Sequence, residues 1–309
     1  MRTGCKILLT VLILSIMAMP ALAASSKIGT SGAQFLKIGV GARATGMGGI
    51  YTGLADDVSA IYWNPGGLGQ LKAPEMMLMY NNWFQDISHQ FAAFAYPIQN
   101  VGVFALGVTM LTVNDLEKRA ADTEVKDGTF KAQDAAYALA YGRQITDQLM
   151  LGATVKMLNS KIDDQSASGV AVDVGGLIKT PVEGLDVGLA VTNIGSKYKF
   201  IDEGDPLPMA IKAGVGYRML NDSLILAADV ISPNDNSLQF GGGVEYGLKF
   251  GGDMALAVRT GYKTGVDTGG LSGLGAGLGF TFKKVGVDFA WSPFGDLGNA
   301  YRVSLSAKF

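Results

Sequence analysis

The sequence predicts an all-β protein: an antiparallel transmembrane β-barrel of about fourteen strands, with a short N-terminal hatch or plug containing a small helix. Three observations carry this. From about Glu75 onward, run after run of roughly 8–12 residues has every second side chain apolar, and that is the length a tilted strand needs to cross a bilayer. Hydrophobic residues make up 48% of the 309-residue chain and charged residues only 17%, below the ~25% usual for soluble domains. Yet beyond the first two dozen residues no apolar stretch reaches the ~20 residues of a spanning helix. Finally, the connections between runs alternate between short and long, as the inner turns and outer loops of such barrels do.

The chain opens on a secretory signal, residues 1–23. Arg2 and Lys6 supply its positive start, Ile7 to Met19 its apolar core and Ala21-Leu22-Ala23 its small-x-small cleavage site. The expected destination is the bacterial outer membrane, with its lipids as partners. The single cysteine, Cys5, leaves with the signal, so the mature chain has neither a disulfide nor a thiol nucleophile. Of 25 basic residues Arg2 and Lys6 also leave, so 23 remain against 27 acidic ones, a formal charge of about −4. Nucleic acid is not an expected partner of such a chain.

Residues 24–74 form the predicted lead and hatch, and residues 75–309 the barrel. Within the hatch, Gly39 to Leu71 is rich in glycine and stops alternating. Asp56 or Asp57 is positioned to cap a short helix running to about Tyr62, and Asn64-Pro65 is a second start signal, a cap followed by proline at the first helical position. Met47, Ile50, Tyr51, Leu54, Ile61 and Trp63 are the apolar side chains available to pack such a plug inside a lumen too wide for wall side chains alone to fill.

The barrel strands are predicted to begin near residues 76, 89, 101, 133, 149, 168, 185, 208, 223, 238, 254, 273, 285 and 301. The last is the plainest: Tyr301, Val303, Leu305, Ala307 and Phe309 share one face, and Arg302, Ser304, Ser306 and Lys308 the other. Short turns are expected at Gln99-Asn100, Gln144–Gln148, Thr180–Gly184, Leu220–Asp222, Lys249–Gly252 and Lys283-Lys284. The longer outer loops are expected at Asn114–Ala132, Asn159–Ala167, Ile194–Leu207 and Lys263–Ser272. Phe309 ends the last strand on an aromatic, as barrels handled by an outer-membrane assembly machinery commonly do. Tyr80, Trp83, Tyr96, Tyr141, Tyr217, Tyr246, Tyr262, Trp291 and Tyr301 fall near strand ends, where aromatic girdles form. Lys156, Asp173, Lys212, Arg218, Asp229, Glu245, Arg259, Asp288 and Arg302 all lie on the face opposite the apolar one. That face is the lumen, where charges of both signs pair across the interior or line a hydrated path.

No catalytic or metal constellation emerges, and neither an enzyme nor a cofactor is expected. Gly39-Val40-Gly41 and the Gly273–Gly279 run lack the Lys-Ser/Thr and strand-loop-helix context of a phosphate loop and read as hatch and strand glycines. His89 is the only histidine, no GxSxG elbow exists, and His89 is expected at the surface. One histidine and no mature cysteine do not make a zinc site. Asp56-Asp57, Asp163-Asp164 and Asn234-Asp235-Asn236 lack the spacing and distal Glu of a calcium loop and read as caps and turns.

Two stretches, GTSGAQFLKIGVGARATGMGG (Gly29–Gly49) and LADDVSAIYWNPGGL (Leu54–Leu68), resemble the PorV/PorQ family, part of the wider FadL-like class of fourteen-stranded outer-membrane barrels. The resemblance implies a hatch folded into the lumen and carrying an Asn-Pro-Ala sequence, which here reads Asn64-Pro65-Gly66. It also implies a non-enzymatic role in type IX secretion, binding the translocon or its exported cargo. The alternative is a FadL-like passive channel for hydrophobic small molecules such as long-chain fatty acids.

Overall fold

The computed structural model describes residues 28–309 apart from 86, 123, 252 and 267; the expected signal peptide lies outside the described residues. Among the described residues, sixteen strands follow a helical N-terminal stretch. They are β1 (Glu75–Asn82), β2 (Ser88–Ile98), β3 (Gly102–Lys118), β4 (Gly128–Gln144), β5 (Leu149–Ile162), β6 (Gln165–Lys179), β7 (Leu185–Gly195) and β8 (Tyr198–Lys199). The second half comprises β9 (Gly204–Asp205), β10 (Ala210–Met219), β11 (Leu224–Pro233), β12 (Gln239–Phe250), β13 (Met254–Lys263), β14 (Leu274–Phe282), β15 (Val285–Pro293) and β16 (Asn299–Lys308). The strands β8 and β9 form a small ribbon in the β7–β10 connection, and the other fourteen close into an antiparallel barrel by pairing β1 with β16. Closure leaves no free sheet edge in the wall.

Alternation sorts the strand residues as expected. On β15, Val285, Val287 and Phe289 point outward and are exposed, while on β16 Arg302 and Ser304 point inward and are buried. Tyr80, Tyr96, Tyr246, Tyr262 and Tyr301 stand on the outer face. Trp83 does not: its ring lies 4.6 Å from that of Phe84 and 5.9 Å from that of Phe294, packed across the outer mouth. The Phe309 side chain is exposed, and its amide donates to Pro74 O (3.0 Å), stitching the chain end to the approach to β1.

Two expected outer loops are largely strand. Only residues 119–127 separate β3 from β4, and Asp163-Asp164 alone join β5 to β6. These hairpins continue the ladder past the apolar belt, where side chains such as Glu117, Lys118 and Lys161 face water. Apolar alternation stops there although backbone pairing does not. A bulge between Val113 and Leu116, with Asp115 at φ 54°, marks the change on β3. His89 is also a correction. It is fully buried on the lumen face of β2, in line with Phe91, Ala93 and Ala95, and its Nδ1 lies 3.5 Å from Asn81 Nδ2.

The N-terminal stretch lies inside the barrel. It contains a 3-10 turn (Gln34–Lys37), helix α1 (Ala42–Gly46), helix α2 (Ala60–Trp63) and a second 3-10 turn (Pro65–Gln70). Among the described residues, no helix is long and apolar enough to cross a membrane. The main buried cluster centres on Met47, Ile50, Tyr51, Leu54, Ile61 and Trp63, each at most 6% exposed. Burying such side chains contributes roughly 1.5–3 kcal/mol each.

Candidate functional site in the plugged lumen

Glycines set how closely the inner segment can approach the wall. A Cβ on Gly175 would fall 2.1 Å from Asn64 Oδ1, and one on Gly261 would fall 2.1 Å from Met47 O. Both therefore must lack a side chain for the segment to lie where it does. Asn64 is fully buried. Its Nδ2 donates to Thr52 O (2.9 Å) and Gly176 O (3.0 Å), and its Oδ1 accepts from Gly66 N (3.1 Å), so it caps the turn begun by Pro65 and ties it to β6. Glycine at the third triplet position also has a reason here: a Cβ on Gly66 would meet Gly176 Cα at 2.7 Å.

Charge fixes the other side. Arg43 on α1 reaches Glu245 on β12 through Nε (2.8 Å) and Nη2 (3.0 Å), and Asp56 through Nη1 (2.6 Å). Asp56 is shared with Arg218 on β10 (3.0 Å), which also holds Asp186 on β7 (2.5 Å). Glu245 is shared with Arg259 on β13 (2.5 Å), which also holds Asp288 on β15 (2.6 Å). An alternating chain of seven charges thus runs from β7 through the inner segment to β15. Burial alone would raise the Asp56 carboxyl; Arg43 and Arg218 reverse this and hold it well below the usual carboxylate range. Of the two acids expected to cap the helix, Asp56 is therefore an ion-pair centre. Asp57 makes the local turn by accepting from Ser59 N (2.9 Å) just ahead of α2.

The nine charged residues expected in the lumen all lie on its wall, but they divide into two groups. Arg218, Glu245, Arg259 and Asp288 belong to the ion chain, and Lys156 pairs with Asp173 (2.7 Å). Asp229 instead accepts from Tyr51 N, Thr52 N (both 3.1 Å) and Thr52 Oγ1 (2.7 Å). Lys212 and Arg302 line a cavity of about 530 Å³ at the outer end of the lumen. Its floor is the Tyr62–Trp63 pair, set edge to face with centroids 4.9 Å apart. Leu36, Ile38, Pro208, Ile231 and Phe294 supply apolar wall. A second, shallower cavity lies at the opposite end, where Asp56 and Arg218 approach the Thr180–Gly184 turn. Among the described residues, no three His, Cys, Asp or Glu side chains gather as a metal site.

Sequence reading missed Arg43, Asp186 and Lys263. Lys263 was legible by parity, because it shares the inward register of Arg259 on β13, two residues beyond the expected strand end. Arg43 carried no such signal, since its segment has no period.

Residues 14–173 match the uncharacterised protein family UPF0164. The chain belongs to that family. No curated protein sequence matches this UPF0164 member. Solved structures do. The CymD monoaromatic hydrocarbon channel is similar over 88% of this chain and 98% of its own, with TM-score 0.62 and 11% identity. The Ralstonia pickettii toluene transporter TbuX is similar over 88% and 98%, with TM-score 0.59 and 14% identity. A Pseudomonas aeruginosa FadL homologue is similar over 87% and 98%, with TM-score 0.59 and 13% identity. At such identities the likeness speaks to the fold, which this UPF0164 barrel shares with FadL-type channels.

Proposed function

We propose that the protein is an outer-membrane passive channel for hydrophobic small molecules, with the glycine-rich stretch 39–71 acting as its hatch. The observation that carries this reading is the outer cavity: an aromatic floor and apolar walls, open towards the outer loops and stopped below by the inner segment. The fold shared with proteins named as hydrocarbon channels and a toluene transporter supports it. The apolar outer face of the strands supports residence in a bilayer, since lipid-facing positions of such barrels are apolar.

A cross-link tests the hatch. Lys37, just ahead of it, meets Asp235 of the β11–β12 connection (2.9 Å). The double variant Lys37→Cys/Asp235→Cys, in a mature chain with no other thiol, should pass toluene into liposomes when free and more than tenfold less once a short bifunctional maleimide joins the two thiols. Equal uptake in both states would sink the hatch role.

A second reading, docking to a secretion translocon or its cargo, draws on the PorV/PorQ resemblance of Gly29–Leu68 and on the β3–β4 hairpin, which rises beyond the apolar belt with charged side chains. Recovery of the protein from its own membrane with a much larger membrane protein, lost on deleting residues 119–127, would favour it. Recovery alone with a bound apolar ligand would favour the channel.

A further inference from the structure

Four cations elsewhere in the lumen each have a carboxylate. Arg43, Lys156, Arg218 and Arg259 each make at least one ion pair of 3.0 Å or less. The outer cavity departs from this rule. Lys212 on β10, Lys263 on β13 and Arg302 on β16 all line it, and none has a carboxylate within 4 Å among the described residues. Lys37, the fourth cation there, is held by Asp235 (2.9 Å). Arg302 is 3% exposed, donates from Nη1 to Ser292 Oγ (3.1 Å), and has no partner for Nε.

The nearby acids are committed elsewhere. Asp173 is taken by Lys156, and Asp229 is turned to the backbone of Tyr51 and Thr52. Three cations drawn from three separated strands therefore line one cavity with no carboxylate in contact, Asp173 and Asp229 acting on Lys212 and Lys263 only from farther off, an arrangement that favours entry of an anion. The cavity also offers a flat apolar surface beside the charges: Lys212 Nζ lies 5.7 Å from the ring centroids of both Tyr62 and Trp63.

We propose that the outer cavity binds an organic anion with a planar apolar body, an aromatic acid carrying one or two carboxylates. Its acid groups sit among Lys212, Lys263 and Arg302, and its ring lies against the Tyr62–Trp63 pair. The site takes its purpose from the channel reading above, as the entry station for such a solute, but its chemistry stands on these residues alone.

The test uses the full mature protein in detergent, titrated calorimetrically with phthalate, benzoate, laurate and toluene, and then in liposomes for uptake of phthalate and toluene. Phthalate should bind more tightly than benzoate, and toluene least. Lys212→Met and Lys263→Met should each weaken phthalate more than tenfold while leaving toluene unchanged, and raised salt should weaken phthalate alone. Both substitutions remove a half-buried cation that makes no ion pair, so neither breaks a contact the fold uses; an unchanged heat-dependent gel shift confirms the barrel. Phthalate binding that ignores these variants, toluene binding as tight as phthalate, or laurate binding in preference to both acids would each overturn the proposal. Toluene uptake with no binding or uptake of phthalate would also overturn it and leave the channel standing. Variant-sensitive phthalate binding without uptake of either solute would support the site and sink the channel.

Discussion

Arg43 Nη1 lies 2.6 Å from Asp56 Oδ1, a contact within the inner segment through which two halves of the barrel wall are joined. Arg43 passes the link to Glu245 and Arg259, and Asp56 passes it to Arg218 and Asp186. The segment is thus bound by charge directly to β10 and β12, and through them to β7, β13 and β15, as well as by packing.

Removing Arg43 should undo this more than any apolar truncation. Arg43→Met leaves Asp56 and Glu245 short of a partner and should weaken docking of the segment by roughly 3–5 kcal/mol, the usual cost of breaking a buried pair from one side. Hydrogen exchange at residues 42–57 should rise by orders of magnitude while the strands stay protected. Unchanged exchange in the segment would refute the role given to the ion chain.

The same contact predicts the response to acid. The docked Asp56 carboxyl is held well below its ordinary value of 3.8. Above that ordinary value both docked and released forms are ionised, and the stabilisation is fully present. As pH falls below it, the released form takes up a proton first, so docking weakens progressively and is lost as pH passes through the docked value. Protection of the segment's amides, corrected for the intrinsic pH dependence of exchange, should not fall between pH 8 and about 4 and should fall only below. Asp56→Asn should shrink that acid limb, the remainder belonging to Glu245, which holds the same Arg43, and a midpoint near pH 6 would contradict the assignment.

Wall glycines should be sensitive according to which way they face. Gly175→Ala and Gly261→Ala push a methyl into Asn64 and into the Met47 carbonyl and should cost roughly 1–3 kcal/mol each by overpacking. Gly242→Ala points outward, with nothing closer than 3.8 Å, and should be near neutral. Thermal loss of the gel shift ranks the three. An equal effect of all three would show that strand propensity, not contact with the segment, governs them.

Asn64→Ala should cost about 1–3 kcal/mol by orphaning the buried Thr52 and Gly176 carbonyls. Gly66→Ala, which restores the Asn-Pro-Ala triplet of FadL-like proteins, should destabilise this protein rather than improve it, because the added methyl meets β6. Differential melting with the Gly175→Ala variant as reference measures both, and a Gly66→Ala protein more stable than the parent would refute the steric reading.

The barrel was legible because a bilayer outside and a polar lumen inside impose a period of two on every strand. Runs beginning near residues 149, 185, 254 and 285 match β5, β7, β13 and β15 at their first residue. Where that contrast ends, legibility ends too: β3, β4, β5 and β6 continue into water with polar side chains on both faces, and their ends read as loops. The inner segment was visible as composition but not as geometry. Its apolar side chains were identifiable, yet the partners of Arg43 and Asp56 lie on strands up to 202 residues away in sequence, and nothing local encodes them. His89 was misplaced because its position near a strand end outweighed its parity, which put it in line with Phe91.

One detail of the inner segment bears on how the wall comes to be closed. Every pairing around the barrel joins strands that are neighbours along the chain, with only the β8–β9 ribbon intervening between β7 and β10, except that of β1 with β16, where Glu75 stands opposite Lys308. Two adjacent residues of the segment touch both sides of that joint: Gly41 N reaches Met79 Sδ on β1 (3.1 Å), and Ala42 N donates to Ser304 Oγ on β16 (2.8 Å). The inner segment thus straddles that joint from within, and a wrong register between the two strands most distant along the chain would cost it one of these two contacts.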